Sequence, residues 1–164
     1  KSDKLPAEFF NLKFDVVTSF EVIEHINTPN EELAFVKKIL RTNGAFYFTT
    51  PNFNSISRFI LKEKWNIVEY PEHLSYFTSS TMHQLMLKHG FKKQFLTTTG
   101  ISLSRFKQSI GKDDVNRTTN QNTDENLRGN IEKNFLLRWV KNSLNFVLNS
   151  FKIGDAMKGL YINS

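Results

Sequence analysis

The sequence contains no cysteine. That excludes a disulfide framework and any thiolate metal site, and it suits a reducing compartment, so a cytoplasmic setting is the expectation. No apolar run approaches the roughly 20 residues that a membrane-spanning helix needs. The chain opens on Lys1-Ser2-Asp3 and no charged-then-apolar leader follows, so nothing reads as a signal peptide. An arginine-rich run is also missing, although 22 basic against 16 acidic residues give a formal charge of +6. The Lys and Arg are scattered and the aromatics sit mainly at core spacing. The excess therefore reads as a solvated basic surface rather than a nucleic-acid interface. There is no internal repeat.

What is present suits one globular α/β domain: 164 residues, 39% hydrophobic and 13% aromatic, suffice for a single core. Phe14-Asp15-Val16-Val17-Thr18-Ser19-Phe20 is rich in β-branched and aromatic residues and predicts a buried strand. Glu31 to Leu40 predicts an amphipathic helix with Leu33, Val36, Lys37, Ile39 and Leu40 inward, stopped at Asn43-Gly44 by a left-handed residue. A strand from Ala45 to Thr50 follows, closed by Pro51. Thr78-Ser79-Ser80-Thr81 starts a second helix, in which Met82, Leu85, Met86 and Leu87 recur before His89-Gly90 ends it. Phe91 to Thr98 predicts a third strand. Connections this long exclude hairpins and argue for a mostly parallel sheet carrying helices on its faces.

From Gly111 to Asn130 the composition is Asn, Asp, Thr, Gln and Arg, too poor in apolar surface to order itself cheaply, so a mobile loop is expected. Ile131 to Phe151 predicts an amphipathic helix through Phe135, Leu136, Trp139, Val140, Leu144, Phe146, Val147 and Leu148. Its stripe has three uses: packing on the sheet, meeting another subunit, or peripheral contact with a membrane. Gly154-Asp155 reads as a turn and Ala156 to Ile162 as a last strand.

Glu21, Glu24 and His25 in Glu-Val-Ile-Glu-His stand three and four positions apart, so a helical turn would place them on one face. Two carboxylates and an imidazole there could hold Mg²⁺, or Mn²⁺, Fe²⁺ or Zn²⁺. Two other uses are open: an acid–base or substrate contact through histidine, and a purely structural turn. His83 and His89 read as helix-surface residues without a role. Between Pro51 and Thr78 the aromatics Phe59, Trp65, Tyr70, Tyr76 and Phe77, with the polar tips of Arg58, Glu72 and His73, suit a ring or lipid-like ligand. Alternatively Trp65 and Phe77 close the core under a long loop.

Together Phe14 to His25, the Asn43-Gly44 turn, Thr49-Thr50-Pro51-Asn52, and Pro71-Glu72-His73-Leu74-Ser75-Tyr76-Phe77-Thr78 resemble the class I S-adenosylmethionine-dependent methyltransferases of the ubiquinone-biosynthesis O-methyltransferase-like group. The resemblance runs from about Phe14 to Gly100, with a weaker echo from Gly154 to Ile162. It implies a three-layer Rossmann-like fold with a mostly parallel sheet and an antiparallel last strand. The strands at Phe14, Ala45 and Phe91 would be its fourth, fifth and sixth. Residues 14–100 would then form the core, 101–153 an insertion or lid, and 154–164 the last strand. The resemblance also implies that the first strand, its glycine-rich turn and the acidic residue for the cofactor ribose precede Lys1, so that the N-terminal part of the domain is missing from this sequence.

By the same resemblance Ser19, Phe20 and Glu21 line the S-adenosylmethionine pocket, with Phe20 on the adenine or methionine part; a core position is the other reading for Phe20. Glu21, Glu24 and His25, completed by His73, match a Mg²⁺ site of such enzymes, and His25 and His73 are the candidate catalytic residues. The implied activity is methyl transfer to a hydroxyl of a small or lipid-like acceptor. The rival classes are a non-catalytic module on the same fold and an RNA-end methyltransferase.

Overall fold

The computed structural model describes residues 12–65, 67–68, 71–101 and 135–164. The loop expected at 111–130, the start of the helix expected from Ile131, and Tyr70 lie outside the described residues.

Strand β1 (Phe14–Phe20) leads through a short 3-10 turn, Ile23–His25, to helix α1 (Pro29–Ile39). Proline in the first turn needs no N–H there, and Glu31 and Glu32 at the start with Lys37 and Lys38 at the end complement the helix dipole. Leu33, Val36 and Ile39 recur every third residue and are buried. The helix ends earlier than expected. Leu40 already has extended geometry and opens β2 (Leu40–Pro51).

Asn43 does adopt the left-handed conformation, at φ 64°. It does so inside β2, at the level where pairing with β1 slips between Phe14 and Val16, and not as a helix stop. Gly44 has no positive φ; a Cβ there would lie 2.9 Å from the Arg41 carbonyl oxygen, so the position is set by space.

Beyond β2 the expected loop contains a short helix, α2 (Ile56–Leu61), whose N-cap Ser55 accepts from the Arg58 N–H. Helix α3 (Ser79–Lys88) starts with a reciprocal pair in which the Thr78 side chain accepts from the Thr81 N–H and the Thr81 side chain from the Thr78 N–H. Strand β3 (Phe91–Thr99), helix α4 (Phe135–Ser150) and strand β4 (Ala156–Asn163) follow, and with a 3-10 turn at Lys62–Lys64 after α2 they complete the described elements.

The sheet order is β1-β2-β4-β3. β1 and β2 are parallel, while β4 runs antiparallel to both β2 and β3, so β1, β2 and β3 share one direction. That is the mostly parallel sheet with a reversed last strand that the sequence led us to expect.

On one face Phe46, Phe48, Phe91, Met157 and Tyr161 meet Leu33 and Val36 of α1 and Met82 and Met86 of α3 in a continuous core. Gly159 lets β4 cross it: a Cβ there would stand 2.5 Å from the Phe48 ring. On the other face Val16, Phe20 and Phe95 are exposed.

Helix α4 corrects one expectation. Among its described side chains, residues 139–150, the apolar stripe does not pack on the sheet: Trp139, Val140, Leu144, Phe146 and Val147 are exposed, and Leu148 alone is fully buried, while the side chains of Phe135 and Leu136 lie outside the described ones. The polar side faces inward and caps the free edge of β3. The Thr98 N–H donates to Asn149 Oδ1 at 3.0 Å, the Gly100 N–H to Asn145 Oδ1 at 2.9 Å, and Lys152 Nζ to the Leu96 carbonyl oxygen at 3.1 Å. Four helical residues rise about 6 Å and two strand residues about 6.7 Å, so side chains four apart on a helix match alternate edge groups of a strand.

Candidate functional site

The carboxyl ends of β1 and β2 lie side by side, the position at which open α/β sheets present their ligand crevices. Directly after β1, Glu21 takes a left-handed φ of 51°, a costly conformation for a residue with a Cβ. Its N–H donates to the Thr49 carbonyl oxygen at 3.0 Å, which pins the bend to β2. The bend turns the chain inward, so that Ile23 and Glu24 are buried in the 3-10 turn while Glu21 and His25 stay exposed.

Glu24 is a carboxylate at 3% exposure. Thr50 Oγ1 donates to its Oε2 at 2.9 Å, and Oε1 is buried with no hydrogen-bond partner among the described residues. Burial pushes the Glu24 carboxyl above its ordinary pKa, with a smaller contribution in the same direction from the neighbouring charge of Glu21. The Glu24 backbone carbonyl accepts from the N–H groups of Leu74 at 2.8 Å and Ser75 at 3.0 Å. Those bonds bring the 71–77 segment over the turn.

His73 is thereby placed on His25, with ring centroids 4.7 Å apart. His25 Nδ1 lies 2.6 Å from the Glu72 carbonyl oxygen and His73 Nδ1 2.5 Å from that of Ile67. A carbonyl oxygen only accepts, so each Nδ1 carries a hydrogen and each neutral ring keeps its lone pair on Nε2. Glu24, His25 and His73 each offer a ligand atom, all within 4.8 Å of one another. Glu21, expected in the same set, is not one of the three; it lies ahead of the turn on an exposed bend. Glu24 and His73 of the cluster line a small cleft walled by Phe53, Trp65, Ile67, Tyr76 and Phe77. Trp65 and Phe77 are buried under the loop, as the core-closing use read for them requires, and both line this cleft.

Of the residues expected to face a cofactor, Ser19 is half-buried near the end of β1 and Phe20 is 59% exposed, its ring 5.7 Å from that of Tyr47. Phe20 is therefore not a core residue among the described ones.

A family model for "Methyltransferase domain" matches residues 2–96. The chain belongs to that family. The methyltransferase domain is 42% identical over 40 residues to a ubiquinone biosynthesis O-methyltransferase of Pasteurella multocida, a stretch covering 24% of this chain and 16% of that protein. Its fold is that of a SAM-dependent methyltransferase of Thermotoga maritima, with a TM-score of 0.55 at 14% identity over 94% of this chain and 59% of the other. A SAM-dependent methyltransferase of Archaeoglobus fulgidus gives a TM-score of 0.52 at 14% identity, over 92% and 59%. The domain thus spans little more than half the length of these two structures, and the stretch matched to the curated relative is about one-sixth of that protein.

Several residues that shape this methyltransferase domain carried no role in the sequence. Thr50, next to Pro51 at the end of β2, becomes significant only because β1 delivers Glu24 beside it. Asn52 is fully buried and its side chain donates to the Lys152 and Gly154 carbonyl oxygens, locking the end of β2 to the chain entering β4. The carbonyls that orient the two imidazoles belong to Glu72 and Ile67, where side-chain identity gives no signal. His83 contacts the Tyr161 hydroxyl at 3.0 Å and His89 contacts Asn30 Oδ1 at 3.1 Å, both away from the cleft.

Proposed function

We propose that the chain forms the acceptor-side wall of an S-adenosylmethionine-dependent enzyme that methylates a hydroxyl on a small or lipid-like acceptor. The observation that carries this is the pair of imidazoles with Nδ1 tied to backbone carbonyls, standing over a buried carboxylate where the parallel strands end.

The sulfonium of S-adenosylmethionine supplies an activated methyl group, so the protein's work is alignment, exclusion of water and handling of one proton. Phe20, exposed at the end of β1, offers an apolar platform toward the cofactor, with Ser19 and Glu21 beside it. The aromatic cleft receives the acceptor. His73 or His25 takes the acceptor's hydroxyl proton on Nε2 as the oxygen attacks the methyl carbon, and the carbon–sulfur bond electrons remain with sulfur. Glu24 then stabilises the imidazolium that forms. The short match to a ubiquinone biosynthesis O-methyltransferase supports oxygen as the acceptor atom and a ring-bearing substrate.

The same three residues fit a divalent cation: Glu24 Oε1 has no other partner, and both Nε2 lone pairs are left by the Nδ1 contacts. In place of an imidazole base, such an ion, bound by Glu24, His25 and His73, would lower the pKa of a substrate hydroxyl and offset the cost of the buried carboxylate.

The test uses the natural protein that carries this chain. His73→Ala is expected to lower the rate of methyl transfer to a catechol about 10²- to 10⁴-fold while calorimetry shows unchanged affinity for S-adenosylhomocysteine. Failure of the natural protein to bind S-adenosylhomocysteine would end the enzyme reading. Full activity in both His73→Ala and His25→Ala would end the assignment of the base.

A further inference from the structure

Arg58, in α2, is set between two phenyl rings. Its guanidinium carbon lies 4.3 Å from the ring centroid of Phe53 and 4.6 Å from that of Phe59. Phe53 is a wall of the cleft, where its ring also meets Trp65 at 5.9 Å and Tyr76 at 5.5 Å, whereas Phe59 is 53% exposed. The charge therefore stands at the rim, between a ring of the cleft and a ring of the surface. Backbone bonds fix it there. The Arg58 N–H donates to Ser55 Oγ, the Ser55 N–H to the Asn52 carbonyl oxygen at 3.1 Å, and the Ile56 N–H to the Ile153 carbonyl oxygen at 2.8 Å, so α2 is tied both to the end of β2 and to the chain entering β4.

A guanidinium is permanently ionised and carries its N–H donors in a planar fork. Stacking on rings satisfies its faces and none of those donors. Among the described residues Arg41 pairs with Asp15, whereas Arg58 has no carboxylate within ion-pairing distance, and its Nε is buried without a hydrogen-bond partner. A half-buried cation without a counter-charge is costly, and a bound anion offsets that cost. The fork shape selects the anion: a carboxylate matches it with parallel hydrogen bonds, and its single negative charge is balanced by a single arginine. An acceptor held by a carboxylate at the rim points its other end into the aromatic cleft, where His73 and Glu24 stand.

We propose, resting on the reading of the cleft as the acceptor site, that Arg58 sets acceptor specificity by binding a carboxylate on the molecule to be methylated. The test uses the natural protein that carries this chain, with S-adenosylhomocysteine bound. Calorimetry is expected to show 3,4-dihydroxybenzoate binding about 10- to 100-fold more tightly than the neutral 3,4-dihydroxybenzamide, which has nearly the same shape. Arg58→Met, whose unbranched side chain refills the space between the rings, should bring the two affinities together. Arg58→Lys keeps the charge without the fork and should retain only part of the preference. Equal affinity of the wild type for the two probes overturns the proposal, as does no binding of the benzoate by a protein that binds S-adenosylhomocysteine. So does an equal loss for both probes in Arg58→Met, which would make Arg58 a structural clamp between Phe53 and Phe59. Catechol methylation reports separately on the proposed function: turnover of catechol without a preference for the benzoate removes the role of Arg58 and leaves the enzyme reading standing.

Discussion

Glu24 combines the features that make a single residue informative: it is ionisable, buried, and half satisfied. Because burial raises its carboxyl pKa, the folded state holds the Glu24 proton more tightly than the unfolded chain does. Protonated Glu24 therefore contributes stability that is fully present below the unfolded value of 4.5 and is lost as pH rises through the folded-state value. Glu24→Gln keeps an acceptor for the Thr50 hydroxyl and removes the charge. It should match or exceed the wild type in stability at neutral pH, by up to about 1 kcal/mol, and flatten this part of the pH dependence in urea unfolding. A divalent cation should raise the wild-type melting temperature and not that of Glu24→Gln if the three-residue cluster binds it. At this scale much was legible in the sequence, since Glu24, His25 and His73 stood out by residue type and motif. The left-handed Glu21 and the two orienting carbonyls did not, because backbone conformation and backbone acceptors leave no mark on side-chain identity.

Elements were read from periodicity and end signals, and they failed where tertiary contacts overrode both. The start of α3 was legible because Thr78 and Thr81 cap it within one turn. The end of α1 was not: Asn43-Gly44 has the composition of a helix stop, yet pairing with β1 draws Leu40 into the strand. Helix α4 is the clearest override. Its apolar stripe argues for burial, whereas the bonds that fix it come from asparagines on the opposite side. Asn149→Ala should cost about 1–2 kcal/mol, since Asn149 Oδ1 accepts from both the Thr98 N–H and Lys152 Nζ. Amide exchange provides the specific readout: protection should fall at Thr98 in Asn149→Ala and be retained in Asn149→Asp, which keeps the acceptor.

Across the whole molecule, β4 is the strand on which closure depends, because it is hydrogen-bonded on both edges and joins β2 to β3. Overpacking there is felt by the entire sheet, so Gly159→Ala, whose added methyl would press on the Phe48 ring, should lower stability by about 1–3 kcal/mol in urea unfolding. The opposite sheet face, where Val16, Phe20 and Phe95 are exposed, leaves one apolar surface of the described residues uncovered. By itself the sequence determined the order of strands and helices, their mostly parallel arrangement, and the residues able to carry chemistry, because those follow from local spacing and residue type. The tertiary structure alone decided that the turn after β1 buries Glu24, that His73 comes to rest on His25, and that α4 presents its apolar arc outward. Each of these depends on which backbone groups the closed sheet leaves in need of a partner, and that requirement does not exist until distant parts of the chain have met.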